Sequence, residues 1–341
     1  MNSRCPSRRR LLSAAGVIAV VAPLAGWASW ASAQTQNKVL LRVSTPAVPD
    51  DWHAKMWTVL KDELEKSAPG QFDVQINLAG TLFKQGTEPA AMARGNLELA
   101  APSAFDLAKL IPEFSIFTAG YVLRDPDHQQ KVFNGPIGRE FFKLASEKMD
   151  VTLLGAAYLG TRQIGLREVR NVRVPADLKG LKLRMPGSKE WLFLGEALGG
   201  NPTPLAFGEV YLALKTGTID GQDNPLPTVR AAKFYEAMKQ IVLTNHLVDA
   251  VLVAVSNKAW NALNPTQKGQ LQVAANAAIR YNNENRIKEE GQLVEFFRQQ
   301  GLKVDEPDRE AFRRSVQQAY LNSEYAKTWP AGLLDRINAT R

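Results

Sequence analysis

Apolar positions along the chain alternate between two periods, and the change of period marks the elements. Residues 38–44 (KVLLRVS) form a short apolar run that predicts a strand. In 51–66, Trp52, Met56, Val59, Leu60 and Leu64 recur at helical spacing, with Asp50 or Asp51 as the cap. Residues 72–78 (FDVQINL) alternate with period two and predict a second strand, and 97–101 a further short one. Helices are expected over 127–133 and 137–148, then a strand over 151–156. This first block reads as a parallel α/β unit.

A second block begins near Thr161. Strands are expected at 161–166 and 181–185, with turn chemistry between them in Pro175-Ala176-Asp177-Leu178-Lys179-Gly180. Helices follow at 188–198 and 207–216, the second introduced by Pro202-Thr203-Pro204 and stopped by Gly217. Residues 218–221 run into a strand end or loop, and 240–247 and 251–256 read as two separate strands. Asn264-Pro265 is a cap with proline at the first helical position, and helical pattern runs from there to about Gln300, through Gly291. Some 35 residues at 1.5 Å each reach roughly 50 Å, more than one small lobe spans. The predicted fold is α/β, with two lobes, a ligand cleft between them and a long helix crossing both.

The amino terminus changes the composition that matters. Arg8-Arg9-Arg10 precedes an apolar run from Leu11 to about Trp30, which ends in Ala31-Ser32-Ala33. That is the anatomy of an export signal over 1–33, of the twin-arginine or general type, and it predicts a periplasmic mature chain beginning at Gln34. The only cysteine, Cys5, lies in this segment, so the mature protein has no thiol and no disulfide. Arg4, Arg8, Arg9 and Arg10 leave with it, and the formal charge falls from +8 to 8 − 4 = +4. A mild basic excess suits small anionic ligands and gives no case for nucleic acid.

Chemistry is densest in 177–246. Arg184 closes a predicted strand in Lys182-Leu183-Arg184-Met185-Pro186, where α/β proteins place ligands, and a guanidinium there can hold a carboxylate through two parallel hydrogen bonds. Asn224, fixed before Pro225, offers a donor and an acceptor. His53, His128 and His246 lie far apart with no metal-ligand spacing, and neither a Gly-x-Ser-x-Gly elbow nor a His-Glu-x-x-His string occurs. No catalytic residue, metal or cofactor is assigned.

These strings, in order and at family spacing, resemble the periplasmic substrate-binding proteins of tripartite ATP-independent periplasmic (TRAP) transporters, of the DctP dicarboxylate/sialic-acid receptor type. The likeness covers essentially all of the mature chain and is strongest over 160–246. It implies a receptor that closes on a small carboxylate, catalyses nothing, and hands its ligand to an integral-membrane permease. It implies a monomer, with one lobe over 34–159 plus about 250–287 and the other over 160–249 plus about 288–341. By the same resemblance Arg184 anchors the ligand carboxylate, Arg162 and Asn224 assist it, and Phe207 packs beside the ligand. Asp223 stands where many relatives have glutamate, and contacts ligand or holds a neighbour. In the first lobe Gln85 and Glu88 are candidates to face the cleft. Ser103 lies near a position where the sialic-acid receptors use glutamate, which argues against sialic acid. Trp191 and Trp52 are candidate apolar walls or core residues. A secreted enzyme acting on a small carboxylate and a receptor of an ATP-driven transporter are the alternatives. A sugar acid, a 2-oxo acid and a small aromatic acid all remain open as ligand.

Overall fold

The structure is a computed structural model that describes residues 38–341; the expected signal over 1–33 lies outside them. The chain runs β1 (Val39–Ser44), α1 (Trp52–Ser67), β2 (Phe72–Asn77), α2 (Glu88–Ala93), β3 (Leu99–Ala100), α3 (Ala104–Ala108), α4 (Pro126–Asn134), α5 (Pro136–Met149) and β4 (Val151–Leu166). It continues with β5 (Lys182–Met185), α6 (Lys189–Ala197), β6 (Asn201–Pro204), α7 (Val210–Thr216), β7 (Gly221–Pro225), α8 (Leu226–Ala231) and β8 (Gln240–Ser256). Helices α9 (Asn257–Ala262) and α10 (Pro265–Gln299), strand β9 (Lys303–Asp305) and helices α11 (Arg309–Leu321) and α12 (Leu333–Ala339) complete it.

Among the described residues the strands form one nine-stranded sheet, ordered β2-β1-β3-β8-β4-β7-β5-β6, with β9 beside β8. Strands β1, β2 and β3 are parallel, as are β5, β6 and β7, but β8 and β4 run antiparallel through the middle. The sheet is therefore mixed, which corrects the expectation of a purely parallel first block.

A second correction concerns the two central strands. Residues 151–156 and 161–166 belong to one strand, and so do 240–247 and 251–256. The sequence places each pair as two separate strands. The gaps between them are irregularities inside one paired ribbon instead, with register shifts at Leu153/Gly155, Tyr158/Gly160 and Arg162/Ile164. Shifted pairing strands backbone polar groups, and α10 satisfies them. Asn283 Oδ1 accepts from Tyr158 N, Asn282 Nδ2 donates to Tyr158 O, Arg286 Nε donates to Leu159 O, and Glu290 accepts from Thr161 N. The polar residues midway along α10 are thus explained by the bulge they face. Strand β6 is a third departure. Its Pro202-Thr203-Pro204 was read only as a helix introduction, yet it forms a sheet edge, where proline costs no ladder bond.

Other expectations hold closely. Asp51 caps α1 by accepting from His53 N, and Asn264 and Gln267 make a reciprocal capping box at α10. Gly217 ends α7 with φ 74°. Trp57, Leu60 and Leu64 of α1 pack against Leu271, Ala274 and Ala278 of α10 beneath β1–β3. The far end of α10 buries Leu293 and Phe297 with Phe207, Val210 and Phe234. One helix therefore contributes to two separate apolar clusters.

Candidate functional site

A cavity of about 60 Å³ opens where the carboxyl ends of β1 and β3 meet the middle of the β4–β8 ribbon. Pro46 follows β1, Asp51 caps α1 and His53 lies in its first turn; Gln85 precedes α2 and Glu88 opens it; Ser103 and Asp106 follow β3. Arg162, Trp191, Phe207, Asn224, Thr228 and Asp249 close the other side.

Arg162 is buried in β4 and almost fully engaged by the protein. Its Nε donates to Asp223 Oδ1 at 2.9 Å, and Nη1 to Asp249 Oδ2 at 2.9 Å. Its Nη2 donates to the Asp223 carbonyl and to Asn224 Oδ1. Of the five guanidinium donors, one Nη1 hydrogen is left over. The guanidinium lies 4.5 Å from the centre of the Trp191 ring, which stacks on Phe105 at 3.5 Å. Burial works to raise the Asp223 carboxyl, but Arg162 and His246 outweigh it and hold the group down at about 2. His246 Nε2 lies 3.0 Å from Asp223 Oδ1, and its Nδ1 meets Thr244. Burial outweighs Arg162 and the Ala250 N–H at Asp249 and pushes its carboxyl up to about 6.

Arg184 is in the opposite condition. It lies in β5 between Gln222 and Thr203 and is fully buried. Nε and Nη2 donate to Leu205 O at 2.9 and 2.7 Å, and Nη2 also donates to Gln85 Oε1 at 2.9 Å. Nη1 has no hydrogen-bond partner among the described residues, and no carboxylate pairs with this cation. Burial, then the like charge of Arg162, push its pKa down to about 9. A buried cation with a free donor and no counter-ion is a place for an anion.

The wall across the cavity is acidic and hydroxylated. Asp51 is ion-paired with Arg286, whose Nη2 also donates to Thr228. Ser103 caps α3 and donates to Asp106 Oδ2 at 2.8 Å, while Lys109 holds Asp106 Oδ1 at 3.1 Å. Burial pushes the Glu88 carboxyl up to about 8, against the pull of nearby backbone N–H groups. Burial likewise drives His53 down to about 4, so its ring is neutral at physiological pH, and Nε2 has no partner among the described residues.

Seven of the ten residues singled out from sequence line this cavity: Arg162, Asn224, Phe207, Gln85, Glu88, Ser103 and Trp191. Arg184 and Asp223 do not. Arg184 adjoins the cavity through Gln85, and Asp223 is wholly buried as the partner of Arg162 and His246. Trp52 is turned elsewhere, its Nε1 donating to Glu289. Sequence reasoning missed Asp51 as a wall, His53, Asp106, Thr228 and Asp249. Asp249 carried a signal, a lone acid in the apolar run 247–255, which demands a buried cation. His53 carried none.

A family model described as bacterial extracellular solute-binding protein, family 7 (DctP), matches residues 44–327. The sialic acid-binding periplasmic protein SiaP of Vibrio cholerae serotype O1 is 32% identical over 289 residues, covering 85% of this chain and 88% of that protein. Among solved structures, a TRAP periplasmic solute-binding protein of Roseobacter denitrificans, with bound 3-deoxy-D-manno-oct-2-ulosonic acid, superposes with a TM-score of 0.86 at 44% identity, covering 89% of this chain and all (100%) of that one. A TRAP periplasmic solute-binding protein of a Polaromonas species bound to D-erythronate gives a TM-score of 0.83 at 26% identity, covering 89% and 99%.

Proposed function

The chain belongs to family 7 of the bacterial extracellular solute-binding proteins, and on that premise we propose that it is a periplasmic receptor that captures a small organic acid and delivers it to a TRAP membrane permease. The observation that carries this reading is Arg184, a buried cation whose Nη1 lacks a partner. A ligand carboxylate supplies the missing counter-ion. Gln85 Oε1 now occupies one donor of Arg184, and a carboxylate oxygen would take that place in a stronger, charge-assisted bond. Asn224 and the spare Nη1 hydrogen of Arg162 orient the second oxygen, and Phe207 gives an apolar wall.

The two lobes, 34–159 with about 250–287 and 160–249 with about 288–341, close on the ligand from opposite sides. The Gln85–Arg184 bond, the Phe105–Trp191 stack and the Asp51–Arg286–Thr228 cluster join groups of the two sets. A ligand gripping both stabilises the closed arrangement by the affinity it has only there. The protein transforms nothing in this reading; the buried charges nearest the cavity, Arg162 with Asp223 and Asp249, and Arg286 with Asp51, are spent on one another. Export by the segment 1–33 would deliver the chain to its permease, and N-terminal sequencing of the exported protein should begin at Gln34.

A thermal-shift screen of the mature protein against organic acids tests the receptor reading. At about 100 times Kd a ligand adds roughly 2.7 kcal/mol of stability. No shift with any carboxylate, or turnover of one, would overturn it.

A further inference from the structure

We propose that His53 is a specificity-determining residue, whose Nε2 meets a hydroxyl of a ligand that carries a single carboxylate. The inference rests on the receptor reading and on the anchor at Arg184. Its basis is an orphan. His53 lines the cavity, is 5% exposed, and leaves Nε2 without a partner among the described residues. A buried polar atom left unmade is costly, and a ligand atom opposite it removes the cost.

The surroundings say what that atom is. His53 stands in the first turn of α1 beside its cap Asp51, which pairs with Arg286, whereas Arg184 lies in β5 against Leu205 and Gln85. The two residues therefore come from different elements, and His53, unlike Arg184, lines the cavity itself. His53 is neutral, since burial drives it down to about 4. A neutral imidazole nitrogen donates or accepts according to tautomer, and a hydroxyl answers either. Glu88, pushed up to about 8 by burial, and Ser103 are also uncharged hydrogen-bonding groups on that wall.

A second carboxylate finds nothing to hold it there. Arg286 is taken by Asp51, Lys109 by Asp106, and Arg162 by Asp223 and Asp249. An added anion would sit beside these acids with no free cation, which is costly in a buried site. The wall thus selects a polyhydroxylated monocarboxylate over a dicarboxylate.

Calorimetry on the mature protein with 3-deoxy-D-manno-oct-2-ulosonate, D-galactonate and succinate tests this. A polyhydroxy acid should bind at least about tenfold more tightly than succinate. His53→Leu should weaken the polyhydroxy acid by about tenfold or more and leave any succinate binding unchanged, while His53→Gln, which keeps a donor and an acceptor, retains most of the affinity. Succinate binding as tightly as the hydroxylated acids, or equal polyhydroxy-acid affinity in His53→Leu, overturns the inference. If His53→Leu does not fold, His53→Asn decides: its shorter amide should lose the contact, and unchanged affinity overturns the proposal. Acids that bind with His53 indifferent defeat only this inference. If no acid binds at all, the receptor reading fails and takes this one with it.

Discussion

Replacing Arg184 by methionine should separate stability from binding. Holding the buried guanidinium at about 9 instead of 12.5 disfavours its charged form by roughly 5 kcal/mol. Methionine removes that cost and fills similar space. Against this, Leu205 O and Gln85 Oε1 lose their donor, at about 1–3 kcal/mol each. The two effects nearly cancel, so the ligand-free protein should change by less than about 2 kcal/mol in urea unfolding. Binding has no such compensation. A charge-assisted contact to a carboxylate is worth about 1.5–3 kcal/mol, and an unpaired carboxylate would then be buried. Affinity should fall at least about thirtyfold by calorimetry. Arg184→Lys should also lose most affinity, because a point charge does not reproduce the fork. A methionine variant that binds acids like the wild type, or loses more than about 4 kcal/mol without ligand, would refute the assignment and make Arg184 a structural residue.

Arg162→Met should behave oppositely, because it leaves Asp223 and Asp249 buried without their cation; a loss of about 3–5 kcal/mol in urea unfolding is expected, and near-wild-type stability would contradict the pairing described. Glu88 has its folded pKa raised to about 8 from 4.5, so between those values the folded state holds a proton that the unfolded state releases. Stability should therefore fall as pH rises through that window, by up to about 1.4 kcal/mol per pH unit, and Glu88→Gln should flatten the decline between about pH 6.5 and 8, where Asp249 has already ionised. Gly160 sits in the bulge of β4 at φ 126°, and an added Cβ would lie 2.4 Å from Pro225 Cβ; Gly160→Ala should cost at least about 1–3 kcal/mol, read as a lowered Tm.

Much of the fold was legible because its signals are local. The cap at Asp51, the capping box at Asn264, the stop at Gly217 and the periodicity of α1 and α10 all depend on neighbours in sequence. What failed depended on distant partners. Nothing near Gly160 says that Asn282, Asn283 and Glu290 will supply the bonds a kinked strand needs, so continuous strands were divided in two. The site divides in the same way. Arg184 stood out at a strand end, but that it has no counter-ion while Arg162 has two follows only from Asp223 and Asp249 arriving from other strands. His53 looked like one more residue in the first turn of a helix.

The central ribbon also constrains which parts of the chain can complete their packing early. Its inner pair, Leu166↔Gln240, closes a loop of 240 − 166 = 74 residues, and its outer pair, Val151↔Ser256, spans 256 − 151 = 105. Closing the longer loop outright costs only about 0.3 kcal/mol more, so entropy alone barely distinguishes them. Zipping outward from the inner end spreads that cost over successive pairs. The amino-terminal strands gain from this last. Strand β3 is two residues long and takes its outer neighbour from β8, at Val255 and Ala254, while α1 packs against a helix that begins at Pro265. The segment synthesised early therefore waits for some 160 later residues before its sheet has a second edge and its helix a floor. During synthesis this half of the protein has little to fold onto, and its commitment to structure comes with the carboxyl-terminal third of the chain.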